Sequence, residues 1–229
     1  MLKLWFLLVA TGLSFCSTAD KKVSLEDLNQ KYQAAILDAK DAEASEISDK
    51  LIAIKKENKS LQWKNNRVLT LTWTNWDGYD TQIGKEMELS RETWVTTVPE
   101  LKEFCNQQKP KNVSLRLEQL LGLPANNGKT KFIEMYVRAE DLFRPSADPE
   151  VNDSKAELDF PKGVSAEHKK WIQNLKESSY GEKGYPWTRL GYTYDWGNPK
   201  TEMGLSEFVI KKGSKVEIAS VAKTEDYCK

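Results

Sequence analysis

A single histidine, His168, occurs in 229 residues. It sits in the run EHKKW on an expected exposed helix face and reads as a solvated side chain. That sets aside Ser-His-Asp and Cys-His catalysis and almost every zinc site, so no metal centre is expected. Cysteine is scarce: Cys16, Cys105 and Cys228 show no CxxC spacing. There is no P-loop, no GxGxxG and no EF-hand-like ladder of carboxylates. Internal repeats and low-complexity tracts are missing too. Basic residues (34) equal acidic ones (34) and are not pooled in one run, so nucleic-acid binding has no electrostatic footprint. No apolar run reaches the roughly 20 residues that a membrane-spanning helix needs.

What is present begins with a short apolar stretch. Residues 1–19 read as a secretory signal: Lys3 forms the positive start, residues 4–13 the apolar run, and Ser17 and Ala19 the small residues before a cut. Lipidation at Cys16 is a second route, although Phe15 stands where a lipobox wants Gly or Ala. The chain is therefore expected to be secreted or periplasmic. In an oxidising compartment Cys105 and Cys228 are expected to pair. Three N-x-S sequons, at Asn58, Asn112 and Asn152, matter only in a eukaryotic secretory host.

The fold class expected is α+β. Ser24 with Asp27 resembles a capping box. Apolar residues then recur at Leu25, Leu28, Tyr32, Ile36, Ala39, Ile47, Leu51, Ile54 and Leu61, a period near 3.6. That predicts one long helix over 24–61, or a helical hairpin turning within 38–49. Residues 20–62 would form a helical N-terminal segment and 63–229 one α+β domain. The apolar stripe would pack on the domain or contact a protein partner. Strands are expected at 67–76, 93–98 and 131–137, the first and third alternating apolar and polar. Short helices are expected at 100–107, 114–121 and 166–178. A Pro- and Asp-rich loop spans 144–163, and a hairpin is expected from 207–210 and 215–221 around residues 211–214. Together these give a mixed, mostly antiparallel sheet with helices against it.

Any site is expected in 185–218, which holds two tryptophans and three tyrosines broken by Gly and Pro. With histidine and metal set aside, carboxylate, arginine and aromatic chemistry remains. It suits glycosyl transfer, whose oxocarbenium-like transition state needs a nearby negative charge. Glu207 is the candidate catalytic carboxylate, because it follows the flexible run 204–206 and opens a strand. Asp195, between Tyr194 and Trp196, is the second, with an Asx turn as the competing reading. Trp187, Tyr192, Tyr194 and Trp196 are candidate stacking residues, although aromatics at such spacing also build cores. Arg189, Arg144 and Arg116 are candidate anion clamps or structural ion-pair partners.

Leu123-Pro124, the strand over 132–137, Tyr185-Pro186-Trp187 and Gly204-Leu205-Ser206-Glu207-Phe208 follow one another in an order that resembles the tuberculosis-necrotizing-toxin family. These are NAD glycohydrolases built on the ADP-ribosyltransferase fold. The resemblance covers the C-terminal half and implies that Glu207 occupies the catalytic position, where the family carries Gln. It also implies that Trp187 lies on the nicotinamide side and that NAD is a substrate rather than a bound cofactor. Three readings stay open: an exported NAD- or sugar-handling enzyme, a non-catalytic glycan-binding module, and a structural or adaptor protein using 24–62 to hold a partner.

Overall fold

The computed structural model describes residues 23–229; the expected signal sequence and Cys16 lie outside them. No helix among the described residues is long and apolar enough to cross a membrane. In chain order the elements are α1 (Leu25–Lys40), β1 (Trp63–Lys64), β2 (Arg67–Thr74), β3 (Glu86–Glu88), β4 (Thr93–Thr97), α2 (Val98–Gln108), α3 (Val113–Leu120), β5 (Lys131–Arg138), β6 (Leu142–Phe143), α4 (Ala166–Ser179), β7 (Tyr192–Tyr194), β8 (Met203–Ser206), β9 (Phe208–Ile210), β10 (Lys215–Lys223) and α5 (Thr224–Tyr227). The protein is an α+β structure with a mostly antiparallel eight-stranded sheet, and β7 with β8 forms a separate two-stranded ribbon.

The main sheet runs β3-β10-β5-β2-β4-β9-β6, with β1 beside β2. Its middle is the long β2–β5 pairing, in register from Arg67↔Arg138 to Thr74↔Lys131. Alternation along β5 sorts the faces as the pattern predicts. Ile133, Met135 and Val137 enter one core with Val68, Val95, Phe208 and Val216. Phe132 and Tyr136 face the other way, toward Leu101 of α2, Leu117 of α3 and Tyr227 of α5. The disulfide Cys105–Cys228 joins α2 to the residue after α5, with Cα atoms 5.1 Å apart.

The hairpin expected from 207–210 and 215–221 is corrected. β9 pairs with β4 and β6, whereas β10 pairs with β3 and β5. Three strands separate them in the sheet, yet the turn Lys211–Ser214 that links them is closed by Ser214 N–H donating to Lys211 O at 3.2 Å. Such a turn brings its ends within about 7 Å, while a flat sheet would put those strands about 19 Å apart at 4.8 Å per strand. The sheet therefore curls, and almost every strand delivers a residue to the core inside the curl. Short-range pattern identified two strands here but could not identify their partners.

The long N-terminal helix is corrected as well. Helix α1 begins at Ser24 with the expected capping box but stops at Lys40. Of the later apolar residues, Leu51 joins Leu190 and Tyr192, while Ile54 and Leu61 join the inside of the sheet. One helical stripe at 1.5 Å per residue could not reach both places; an extended chain can. Its amides find tertiary partners, Leu51 N–H on Ser154 O and Ile54 N–H on Val151 O. Tyr32, Ala35 and Ile36 of α1 pack with Trp196, so the chain's own domain covers this part of the stripe, while Leu25 stays half exposed.

Candidate functional site

Residues from β2, the β3–β4 connection, the turn after α3, the end of α4 and segment 185–187 enclose a groove of about 900 Å³. That lies within the usual range for small-molecule sites. Trp73, Trp76, Trp94, Tyr185, Trp187 and Tyr194 line it. Trp76 and Tyr185 are half exposed, at 53% and 52%, the two most open of these rings. Trp76 meets Tyr79 edge-on with centroids 4.7 Å apart. Trp187 is held from behind: its Nε1 donates to Pro145 O at 2.8 Å, and Tyr180 stacks on it at 6.4 Å.

Glu207 lines the same groove, and its backbone is tightly placed. Its N–H donates to Gly191 O at 2.9 Å. The preceding Ser206 gives both its N–H (3.0 Å) and its hydroxyl (2.9 Å) to Glu100 Oε1, and Ser206 Oγ accepts Ile52 N–H at 2.8 Å. Glu100 Oε2 accepts the hydroxyl of Thr97 at 2.8 Å. Gly204 lets β8 approach β7 closely, since a Cβ there would lie 2.2 Å from Thr193 Oγ1. That hydroxyl in turn donates to Leu120 O at 2.7 Å. The Glu207 carboxyl itself has no hydrogen-bond or ion-pair partner among the described residues. Burial without compensation pushes its pKa up to about 8, which shifts the balance toward the neutral acid at pH 7.

The other sequence candidates scatter. Asp195 is buried in a bidentate pair with Arg116, at 2.8 and 2.5 Å, and also accepts Gly197 N–H at 3.1 Å. Arg189 is not in the groove: its Nη2 donates to Lys40 O at 2.7 Å, and its guanidinium lies 5.9 Å from the Tyr180 ring centre. Arg144 is wholly buried, donating to the carbonyls of Ile52 and Asp153 and lying over Phe208. Tyr192 is buried, with its hydroxyl on Glu46 O. Trp196 is buried against Tyr32 with Nε1 on Leu123 O. Tyr194 reaches the groove while its hydroxyl donates to Asp38 at 2.7 Å. The stacking wall expected from one contiguous run is thus reduced to Trp187 and Tyr194. The rest of the wall comes from Trp73, Trp76 and Trp94, far away in sequence.

Lys129 is a groove residue the sequence reading missed. A lysine after an Asn-Asn-Gly turn carries no local signal beyond solubility. Among the described residues, one group of three side chains brings metal-ligating atoms within 4.8 Å of one another: Asp148, Glu150 and Asp153. Arg144 abuts it, with Nη2 4.0 Å from Asp153 Oδ1, and already supplies positive charge there. No family model, no curated protein and no solved structure matches the chain.

Proposed function

We propose that the groove binds a compact ring-bearing glycoside or nucleotide, and that the protein is an exported enzyme cleaving the nicotinamide–ribose bond of NAD with Glu207 as the acting carboxyl. The observation that carries this reading is a rigidly mounted, unpartnered carboxyl facing an aromatic-lined groove. The disulfide is compatible with export. In the reaction the C1′–N bond breaks with its electron pair leaving on nicotinamide. Water adds to C1′, and one proton is released, giving ADP-ribose and nicotinamide. The nicotinamide ring of NAD is cationic, so its arrival beside Glu207 favours the carboxylate over the acid. The carboxylate then faces the positive charge that develops at C1′.

The test is nicotinamide release from NAD by wild-type protein and by Glu207→Gln. Losing one electrostatic stabiliser of a transition state costs about 10²–10³ in rate, and that loss is expected here. In addition, kcat/KM should rise with pH through about 8, the value for Glu207 in the free protein. A fall above pH 8 would make Glu207 a general acid instead. Release that is equal in wild type and variant would displace the site. No release at all would favour a second reading, a non-catalytic glycan-binding module. That reading draws on the half-exposed rings of Trp76 and Tyr185, which suit stacking on sugars.

A further inference from the structure

Two ionisable side chains of the groove, one acidic and one basic, are mounted in the same way. Glu207 follows a serine held by the part-buried carboxyl group of Glu100. Lys129 follows a turn held by the buried carboxylate of Glu118, which accepts the N–H and the Nδ2 of Asn127, both at 3.0 Å. Asn127 Oδ1 then accepts Lys129 N–H at 2.9 Å, and the next residue, Thr130, donates its N–H to Thr74 O at 3.0 Å. The main chain under Lys129 is therefore fixed. Its ammonium nevertheless has no ion pair and no hydrogen bond among the described residues, although it lines the groove. Lys131, two residues on, differs in being paired with Asp77 and Asp80. Partial burial without a partner also lowers the Lys129 pKa, which is a cost that an anionic ligand would relieve.

We infer that Lys129 is an anion-binding residue of this groove, which Arg91 also lines, and that the ligand is dipolar, with a phosphate seated at Lys129 and a cationic ring group at Glu207. This rests on the reading of the groove as the ligand site and deepens it from a ring-bearing ligand to a phosphorylated one. It also places the anion contact at a residue other than the candidate clamp Arg189, which the fold uses to bind Lys40 O. A fixed backbone with a free ammonium suits a phosphate, which accepts from many directions and needs a point charge rather than a planar fork.

The test measures quenching of tryptophan fluorescence, read on rapid mixing before turnover, by NAD and by nicotinamide riboside, which keeps the cationic ring and the ribose but has no phosphate. Wild type, Lys129→Gln and Lys129→Arg are compared at low and at high salt. Lys129→Gln should weaken NAD binding about tenfold and leave nicotinamide riboside unchanged. Lys129→Arg should retain most of the NAD affinity. Salt should weaken NAD binding in wild type more than in Lys129→Gln. Equal NAD affinity in wild type and Lys129→Gln overturns the inference while the groove reading stands. Equal losses for both ligands in Lys129→Gln also overturn it, because they mark a general disturbance of the groove. If wild type is quenched by neither ligand, the groove reading itself fails and takes this inference with it.

Discussion

Asp195 and Glu207 are two carboxylates from the same aromatic run, each flanked by aromatic or small residues, and the fold treats them in opposite ways. Asp195 is buried at 2% exposure with both carboxylate oxygens answered, by two guanidinium nitrogens of Arg116 and by Gly197 N–H. Its network ties β7 to α3 and is complete without any ligand. Glu207 is placed with equal care through its backbone, but its carboxyl is left without a partner. A polar group satisfied within the fold contributes to the fold. A polar group fixed by the fold and left unsatisfied costs free energy until something else satisfies it. That difference, more than burial or aromatic neighbours, separates a structural carboxylate from a candidate working one.

The comparison can be tested from its largest effect downward. Both carboxylates depend on the helical layer: Arg116 lies on α3, and Glu100, which fixes Ser206, opens α2. The disulfide ties down the far end of α2. Cys105→Ser with Cys228→Ser removes a crosslink across a sequence separation of 123. It should lower stability by about 4–5 kcal/mol on the chain-entropy relation and so disturb both regions alike. Chemical denaturation of the oxidised protein and of the double variant checks this; equal midpoints would mean that the bridge constrains nothing. Asp195→Ala should act on the fold alone. It leaves Arg116 without its partner in a part-buried site and should cost about 3 kcal/mol. For a chain of this size that is a melting temperature lower by roughly 6–12 °C. If Asp195→Ala instead melts like wild type and abolishes ligand binding, the assignment of roles to the two carboxylates is reversed.

The parts of the structure legible in the sequence were those written in local chemistry. The Ser24–Asp27 cap, the two faces of β5 and the strand content of β2 and β4 follow from spacing that neighbouring residues enforce. The end of α1 was not legible, because Leu51, Ile54 and Leu61 keep a helical period while being buried in two separate clusters. Nor was the separation of β9 from β10, since a four-residue turn reads as a hairpin unless the curl of the whole sheet is known. At the site, Glu207 and Trp187 could be picked from the segment that carries them. Trp73, Trp94 and Lys129 could not, because they reach the groove only through tertiary packing. Arg189 was picked for its neighbours in sequence, but its partner is the backbone of Lys40, almost 150 positions away.

The smallest effect is the most specific to Glu207, and its sign follows from linkage. The ordinary value for a glutamate is 4.5, and in the folded protein Glu207 is pushed up to about 8. Between those values the folded protein holds a proton that the unfolded chain gives up. The contribution of Glu207 to stability must therefore fall as pH rises from about 4.5 to about 8 and level off above that. Gln at this position resembles the neutral acid in shape and cannot ionise. Glu207→Gln should match wild type near pH 4.5 and become the more stable protein by pH 9, by about 1–2 kcal/mol once screening by water in the open groove is allowed for. Denaturation midpoints at pH 5 and pH 9, compared with the slopes unchanged, read this directly. A constant offset between the two proteins at every pH would show that the carboxyl is well solvated or paired, and with that the contrast with Asp195 would disappear. An advantage for Glu207→Gln that grows with pH and is erased by saturating NAD would show the opposite. The same uncompensated carboxyl that weakens the empty protein would then be the group that the cationic ring of the ligand satisfies.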